Sequence, residues 1–211
     1  MDINLKWLGH DAFLLKTIVG KNIYFDPYKI MNATDKADYI FITHSHYDHC
    51  SIDDIKKIIQ ESTVIISTPD CLSKFTSLKI KNVTLVKPGD IIFINDMKLE
   101  VVPAYNTNKN FHPKDQDWVG YVLEFDGKRI YHAGDTDLIH EMKNLKNIDY
   151  ALLPVSGTYV MSADEAVIAC DYIKPMYAIP MHYGEIVGSI SDAEKFKKNA
   201  RCNVIILNKA Y

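Results

Sequence analysis

Short runs of apolar residues, separated by turn residues, recur along the chain and predict β-strands in both halves. In the first half these runs follow one another closely, and the pair Asp126-Gly127 predicts a hairpin between two runs further along. The chain is therefore expected to be rich in strands. The predicted strands cover 3–8, 13–18, 22–25, 39–43, 64–67, 83–86, 91–94, 98–103, 119–125, 128–132, 150–154, 176–181 and 203–207.

Helical periodicity first appears after residue 50. Ser51 is the predicted N-cap of a helix, Asp54 completes an approximate capping box, and Ile55, Ile58 and Ile59 give the helix an apolar face. Strands followed by strand–helix units, twice over, predict two sheets face to face with helices outside. The further predicted helices cover 70–75, 163–172 and 192–198.

Length and composition narrow the class of protein. With 211 residues, of which 47% are hydrophobic, residues 1–211 are expected to form a single domain with a large core. The net charge of -3 argues against a broad electrostatic footprint for nucleic acid. The sequence shows neither a cationic leader nor an apolar stretch long enough to span a bilayer, and its four cysteines are scattered. We therefore expect a cytoplasmic protein with reduced thiols and no membrane partner.

A dense group of metal-binding residue types follows the apolar run 39–43. It consists of His44, His46, Asp48 and His49. Because a strand that ends in a tight loop holds its side chains rigidly, alternate positions His44 and His46 can bind one ion while Asp48 and His49 reach a second. Histidine-rich tracts of this length have few uses other than metal binding. The run predicts a site for two neighbouring metals.

Two later segments supply further candidate ligands. Asp135 follows a strand that breaks at Gly134, and His182 follows the apolar run 176–181 and precedes a glycine turn. Two divalent cations about 3.5–4 Å apart repel each other, and a bridging carboxylate screens that repulsion. Asp135 is the predicted bridge, and His182 is expected to complete the ligand set of the second ion.

The motifs resemble those of the metallo-β-lactamase superfamily, and in particular its small single-domain hydrolases of the ascorbate-6-phosphate lactonase-like group. The run 44–49 is the most specific of them, and together they span nearly the whole chain. The matching segments are 7–13 (WLGHDAF), 25–27 (FDP), 44–49 (HSHYDH), 102–104 (VPA), 134–136 (GDT) and 180–184 (PMHYG).

The resemblance implies an α/β (α+β) protein with a four-layer αβ/βα sandwich. The predicted pattern of strands and helices agrees with that architecture. The chain has no room for the additional domains or arms that mark the glyoxalase II, nuclease and tRNA 3′-processing branches. Those branches are therefore disfavoured.

One segment departs from the family pattern. Most relatives have a Pro-Ala-x-His sequence that supplies the third histidine of the first metal, whereas this chain has Asn106 at that position. A neutral amide oxygen should bind Zn²⁺ less tightly than imidazole does. His112, a few residues further along, is the alternative third ligand. The sequence leaves open whether Asn106 or His112 completes the first site.

Three other residues are candidates for supporting roles. Asp26, before Pro27, is expected to hold a ligand histidine or a loop through hydrogen bonds, as carboxylates behind metal ligands do. His10 is a candidate contact to substrate or to a ligand. Lys109 lies in the polar loop around His112 and is a candidate contact to an anionic group on the substrate.

The predicted function is hydrolysis through a metal-bound hydroxide, with one or two zinc ions, or Mn or Fe instead, as cofactor. Asp48, which orients the nucleophile, and His112 are the predicted catalytic residues. The expected partner is a small-molecule ester, lactone or phosphate ester, and a homo-oligomer is left open. The alternatives are a nuclease or phosphodiesterase, and a metal-binding sensor or pseudoenzyme with a degenerate first site.

Overall fold

The computed structural model describes residues 1–31, 35–78 and 80–210. The chain divides into two compact units, unit 1 comprising Met1–Val86 with Asn208–Tyr211, and unit 2 comprising Lys87–Leu207. Within the described residues, each unit is built on one β-sheet. The organisation of residues 1–211 as a single domain stays a prediction.

Unit 1 has a six-stranded sheet whose order follows the chain from β1 to β6. The first three strands pair antiparallel, and β3 to β6 pair parallel. Since parallel strands end at the same edge of a sheet, Asp26 after β3 and Thr43 after β4 leave from one edge. The strands are β1 (Asn4–Gly9), β2 (Ala12–Lys16), β3 (Asn22–Phe25), β4 (Tyr39–Ile42), β5 (Val64–Ser67) and β6 (Asn82–Leu85).

The first helix, α1 (Ile52–Ile58), covers one face of this sheet. Its N-cap is Ser51, as predicted, with a β-region backbone and a side chain that accepts from the Asp54 amide. Ile55 and Ile58 are fully buried in a hydrophobic cluster with isoleucines of β4 and β5. Burying each such side chain stabilises the fold by about 1.5–3 kcal/mol.

Asp54 ties the start of α1 to the loop after β3. Its carboxylate accepts from the backbone amides of Lys29 (2.9 Å) and Ile30 (3.2 Å), from the Ser51 hydroxyl (2.7 Å) and from the Lys57 ammonium (2.7 Å). Burial raises the pKa of the Asp54 carboxyl, but the hydrogen bonds from Lys57, Ser51 and Lys29 outweigh it and hold the pKa below its usual value.

Replacing Asp54 by asparagine is expected to destabilise the fold by about 1–3 kcal/mol at neutral pH, because buried donors lose a charged acceptor. A carboxyl with a lowered folded-state pKa stabilises above its unfolded pKa, about 3.9, and loses that contribution as the pH falls through the folded value. The difference in free energy of unfolding between the parent and the variant should therefore become smaller below about pH 4.

Urea unfolding at neutral and at acid pH measures this difference. The control is Asp53→Asn, a change at an exposed position of the same helix. An equal difference in free energy of unfolding at both pH values would contradict the prediction.

The predicted helix at 70–75 is observed as a 3₁₀ helix over Pro69–Ser77. Thr68 ahead of it provides no side-chain cap, and Pro69 occupies the first turn. Without a cap for the first amides of an α-helix, the tighter i→i+3 pattern is favoured. Cys71 and Phe75 anchor the segment in the core of unit 1.

Unit 2 has a seven-stranded sheet in the order β13-β12-β11-β10-β9-β8-β7. Strands β7 to β10 pair antiparallel, whereas β10 to β13 pair parallel. The residues that follow β10, β11 and β12 therefore leave from one edge. The strands are β7 (Ile91–Ile94), β8 (Met97–Pro103), β9 (Val119–Phe125), β10 (Lys128–His132), β11 (Tyr150–Pro154), β12 (Tyr177–Met181) and β13 (Asn203–Val204).

Two helices, α2 (Ala163–Ile173) and α3 (Ile190–Asn199), pack against each other in unit 2. Each begins with a capping box, formed by Ser162 with Glu165 and by Ser189 with Asp192. Short 3₁₀ segments occupy Lys114–Gln116 and His140–Asn144.

The Asp126-Gly127 hairpin is confirmed. Both residues have positive φ, 47° and 70°, as a type I′ turn requires. The last predicted strand, 203–207, is shorter than expected: β13 is an edge strand, and its ladder with β12 ends after Val204. No helix among the described residues is long and apolar enough to cross a lipid bilayer. The cytoplasmic location stays a prediction.

Candidate metal centre

The histidine run of unit 1 leaves the sheet directly after β4. His44 Nε2 lies 3.1 Å from His46 Nδ1, and the rings of His44 and His49 have centroids 4.1 Å apart. The backbone amides of His49 and Cys50 both donate to the His46 carbonyl, which closes a tight turn. His44 and His49 are buried and His46 is half-buried. One short turn thus brings three imidazoles together.

Asp26 orients two of these imidazoles from behind. Its carboxylate accepts from the Thr43 amide (2.8 Å), from the Thr43 hydroxyl (2.7 Å) and from His49 Nδ1 (2.8 Å). Because the Thr43 hydroxyl donates its hydrogen to Asp26, it accepts from His44 Nδ1, at 3.0 Å. Both rings then carry their proton on Nδ1. The Nε2 lone pairs of His44 and His49 are therefore available for a metal.

A second group in unit 1 surrounds Asp48. His10 Nε2 lies 3.1 Å from Asp48 Oδ2, and Trp7 Nε1 donates to the His10 carbonyl at 2.8 Å. His10 is fully buried and has a φ of 49°, a strained value for a residue other than glycine. Asp11, also fully buried, has its Oδ2 3.6 Å from His49 Nε2. The Gly9–His10 turn thus brings an imidazole and a carboxylate to the histidine run.

In unit 2 two imidazoles converge on one carboxylate. His112 Nε2 lies 3.1 Å and His182 Nε2 lies 3.3 Å from Asp135 Oδ2. The three side chains are at most 3% exposed. Asp135 follows β10 and His182 follows β12, so the parallel part of the sheet brings them to one edge.

The backbone at His182 is also strained, with a φ of 58°, and Gly184 follows with a φ of 81°. Strained backbone of this kind costs of order 1–3 kcal/mol and clusters at functional sites. The Ser156 hydroxyl, in the loop after β11, lies 2.9 Å from His182 Nδ1 and fixes the ring. The neighbouring Tyr183 is buried, which raises its pKa to about 12.

Asn106 and His112 interact with each other. The Asn106 side-chain oxygen accepts from the His112 amide at 2.9 Å and lies 3.2 Å from His112 Nδ1, which is also 3.2 Å from the Tyr159 carbonyl. The Asn106 amide nitrogen donates to Asp137 (3.1 Å) and to the Tyr159 carbonyl (2.9 Å). Since the neighbours of His112 Nδ1 are acceptors, the proton lies there and the Nε2 lone pair faces Asp135.

Asp137 is the hub of the loop that follows Asn106. It is fully buried and accepts from the Thr107 amide (2.8 Å), the Asn108 amide (3.4 Å) and Lys109 Nζ (2.6 Å) as well as from Asn106. Lys109 is thus held by an internal ion pair. Its predicted contact with substrate is untested and stays a prediction.

The donor sets fit a divalent metal. Within unit 1, His44, His46 and His49 direct ring nitrogens at one another or at carboxylates, and within unit 2 two Nε2 atoms face Asp135. Ring nitrogens and carboxylate oxygens that converge at 3.1–3.6 Å are close enough to share one cation, and imidazole with carboxylate is a common ligand set for zinc. The ligand roles predicted from the sequence are compatible with these positions and stay predictions.

Four residues with a structural part in these groups were not identified from the sequence. Thr43 relays the hold of Asp26 on His44, Asp11 faces His49, Ser156 fixes His182 and Asp137 anchors Asn106. Asp11 lies within a recognised motif, and Thr43 and Asp137 each adjoin one, so that position alone was a signal. Ser156 offered only its place after a strand parallel to β12.

Residues 4–182 match the model of a family described as a beta-lactamase superfamily domain. A curated relative from Thermococcus onnurineus, named UPF0173 metal-dependent hydrolase, is 32% identical over 219 residues, which cover 97% of this chain and 96% of the relative. A relative of the same name from Natranaerobius thermophilus is 32% identical over 222 residues, with 96% of each chain covered.

Solved structures agree. A Parabacteroides distasonis protein described as a metal-dependent hydrolase is 34% identical with a TM-score of 0.86, covering 99% of this chain and 94% of that one. Igni18, a metallo hydrolase from Ignicoccus hospitalis, is 24% identical with a TM-score of 0.80, and the match covers 99% of this chain and 96% of that one. At that identity the comparison shows the fold alone. The predicted α+β fold class is confirmed.

Proposed function

The chain belongs to the metallo-β-lactamase superfamily and is a metal-dependent hydrolase, and we propose that it binds zinc, in two sites, and cleaves a small-molecule ester, lactone or phosphate ester. The observation that carries the proposal is the convergence of His112 Nε2 and His182 Nε2 on Asp135 Oδ2, at 3.1 and 3.3 Å. Mn²⁺ and Fe²⁺ are the alternative ions.

We propose metal ligands within each unit. In unit 1 they are two imidazoles at the end of β4 and an Asp-His pair behind them, and in unit 2 they are a carboxylate and the two imidazoles that face it. These residues are His44, His46, Asp48, His49, His112, Asp135 and His182.

Within unit 2 we assign the role of metal ligand to His112, and not to Asn106. Both hydrogens of the Asn106 amide are donated, to Asp137 and to the Tyr159 carbonyl, and its oxygen accepts from His112. Through these hydrogen bonds the Asn106 side chain orients His112, and its oxygen is already occupied as an acceptor. The departure from the family pattern is then a relocation of the histidine, with Asn106 as its positioning residue.

A bound Zn²⁺ lowers the pKa of a water molecule from about 15.7 to about 7, which supplies a nucleophile at neutral pH. The chain's own residues prepare for that chemistry. Asp48, held by His10 Nε2 at 3.1 Å, can accept a proton from the nucleophile and orient it. Asp26 keeps the Nε2 atoms of His44 and His49 free of protons.

The surroundings favour a small substrate of low charge. Tyr47, 63% exposed, lies between ligands of unit 1, and Phe111, 51% exposed, packs against Tyr159 beside His112. The lysines of the His112 loop are engaged, Lys109 with Asp137 and Lys114 with Glu141. Aromatic contacts with neutralised lysines suit an ester or lactone better than a polyanionic nucleic acid.

Replacing Asp48 by asparagine should reduce hydrolysis by about 100-fold or more while leaving the fold intact. The change removes a ligand charge from a loop and leaves the core alone, and even residues behind metal ligands contribute 10–100-fold to metal affinity or activity. The assay uses a panel of lactones, carboxylic esters, phosphate monoesters and phosphodiesters, with protein stripped of metal and then reloaded with Zn²⁺ or Mn²⁺.

The control is Asp53→Asn, an isosteric change at an exposed position of α1. Unchanged turnover in Asp48→Asn would refute the role of Asp48. Turnover confined to phosphodiesters would favour the nuclease alternative, and tight metal binding without turnover of any panel member would favour the sensor.

A further inference from the structure

Asp11 is a buried carboxylate that the proposed ligand sets do not use. It follows the Gly9–His10 turn, where φ is 110° and 49°, and it immediately precedes β2. Its side chain is fully buried. An ionised carboxylate in the interior is destabilising by several kcal/mol unless it pairs with a cation or coordinates a metal. Asp11 is among the buried groups of unit 1 that could hold a metal ion.

The distances around His49 are those of ligands that share an ion. Asp11 Oδ2 lies 3.6 Å and Asp48 Oδ2 lies 3.9 Å from His49 Nε2. Two donor atoms on one tetrahedral zinc ion, each about 2.1 Å from it, are about 3.4 Å apart. The ligand atoms that His10, Asp11 and His49 offer all lie within 4.8 Å of one another. The carboxylates thus flank the same ring nitrogen.

A direct hydrogen bond does not account for the contact between Asp11 and His49. The Nδ1 proton of His49 is donated to Asp26 at 2.8 Å, so that Nε2 of the singly protonated ring is an acceptor. At 3.6 Å the Asp11 oxygen also lies beyond hydrogen-bond distance. Acceptor atoms directed at one another in a buried place suit a cation between them.

We infer that Asp11 is an additional carboxylate ligand of the ion held by Asp48 and His49, and that it raises the affinity of this site for Mn²⁺ relative to Zn²⁺. The inference rests on the proposed function, because it adds to one of the proposed ligand sets. Carboxylate oxygens are suitable ligands for Mn²⁺, whereas imidazole nitrogens are suitable ligands for Zn²⁺. Two carboxylates around one imidazole shift the site toward the harder ion.

The test compares the parent with Asp11→Asn and Asp11→Ser, and uses Asp53→Asn as the matched control. Each protein is stripped with a chelator and titrated separately with Mn²⁺ and with Zn²⁺, and its melting temperature is recorded with and without metal. Both Asp11 variants should lose at least tenfold in Mn²⁺ affinity at one site and less in Zn²⁺ affinity. The melting temperature without metal reports any structural part that Asp11 has in the metal-free protein.

The outcomes separate the two proposals. A parent that binds neither ion refutes the proposed function itself. A parent that binds both ions, with Asp11 variants whose affinities are unchanged, refutes the role of Asp11 alone. Variants that melt lower than the parent without metal, and bind metal normally, would show that Asp11 is a structural acceptor.

A crystal of the unaltered protein grown with Mn²⁺ makes the test independent of how the variants fold. Anomalous scattering at the manganese edge locates the ions. An Asp11 oxygen within about 2.5 Å of an ion supports the inference, since carboxylate oxygens bind such ions at about 2.0–2.2 Å. A separation of more than about 3.5 Å from every ion overturns it.

Discussion

The Asp135→Ala variant is expected to hold one divalent ion or fewer per chain and to lose hydrolytic activity. In unit 2, His112 Nε2 and His182 Nε2 lie 3.1 and 3.3 Å from the same Asp135 oxygen. Removing that carboxylate takes away a ligand together with the negative charge that offsets a cation held by the two imidazoles. Mutating a residue that only supports a metal ligand typically lowers metal affinity or activity by about 10–100-fold. Loss of the ligand Asp135 itself should lower the affinity for the metal by more than that.

Elemental analysis after exhaustive dialysis against metal-free buffer measures the stoichiometry of the variant. The control is Asp115→Ala, an exposed position in the same unit. The fold should persist, because Asp135 lies in a loop after β10 and the hydrophobic core is unaffected. Two tightly held ions in Asp135→Ala would exclude a ligand role for this residue.

The second large effect is expected at His112. His112→Ala should lose one ion and most of the activity, whereas Asn106→His should weaken metal binding or leave it unchanged. The reason is that the side-chain oxygen of Asn106 already holds His112. This oxygen accepts from the backbone amide of His112 and also lies beside Nδ1 of the His112 ring. A histidine at position 106 would displace that support and its hydrogen bond to Asp137.

Zinc and manganese titrations of the stripped proteins decide between the two residues. His140→Ala, the same change at an exposed histidine of unit 2, is the control. Tighter binding in Asn106→His would restore the position-106 ligand of the family pattern and refute our assignment. Unchanged binding in both variants would mean that neither residue coordinates metal.

Much of this picture was accessible from the sequence, for local reasons. The apolar run that ends at Ile42 forms β4. Predicting the end of this one strand was therefore enough to place Thr43 and the histidines that follow it. The Asp126-Gly127 turn and the Ser51 cap also depend on residues within a few positions of one another, and both were predicted correctly.

Other features depend on contacts between residues far apart in the chain. The choice between Asn106 and His112 depends on Asp137 and Tyr159, which are 31 and 53 positions from Asn106. The contact of Asp11 with His49 depends on how the turn before β2 meets the loop after β4. Neither periodicity nor motif spacing carries that information.

The hydrogen bonds of Asp26 make two of the histidines interdependent. One carboxylate fixes His49 directly and His44 through the Thr43 hydroxyl. An ion that immobilises either ring also immobilises Asp26, and thereby reduces the conformational entropy that the other ring has still to lose. In the proposed two-ion centre, loading of the ions would be a linked equilibrium, in which Asp26 transmits a favourable coupling free energy from one ring to the other.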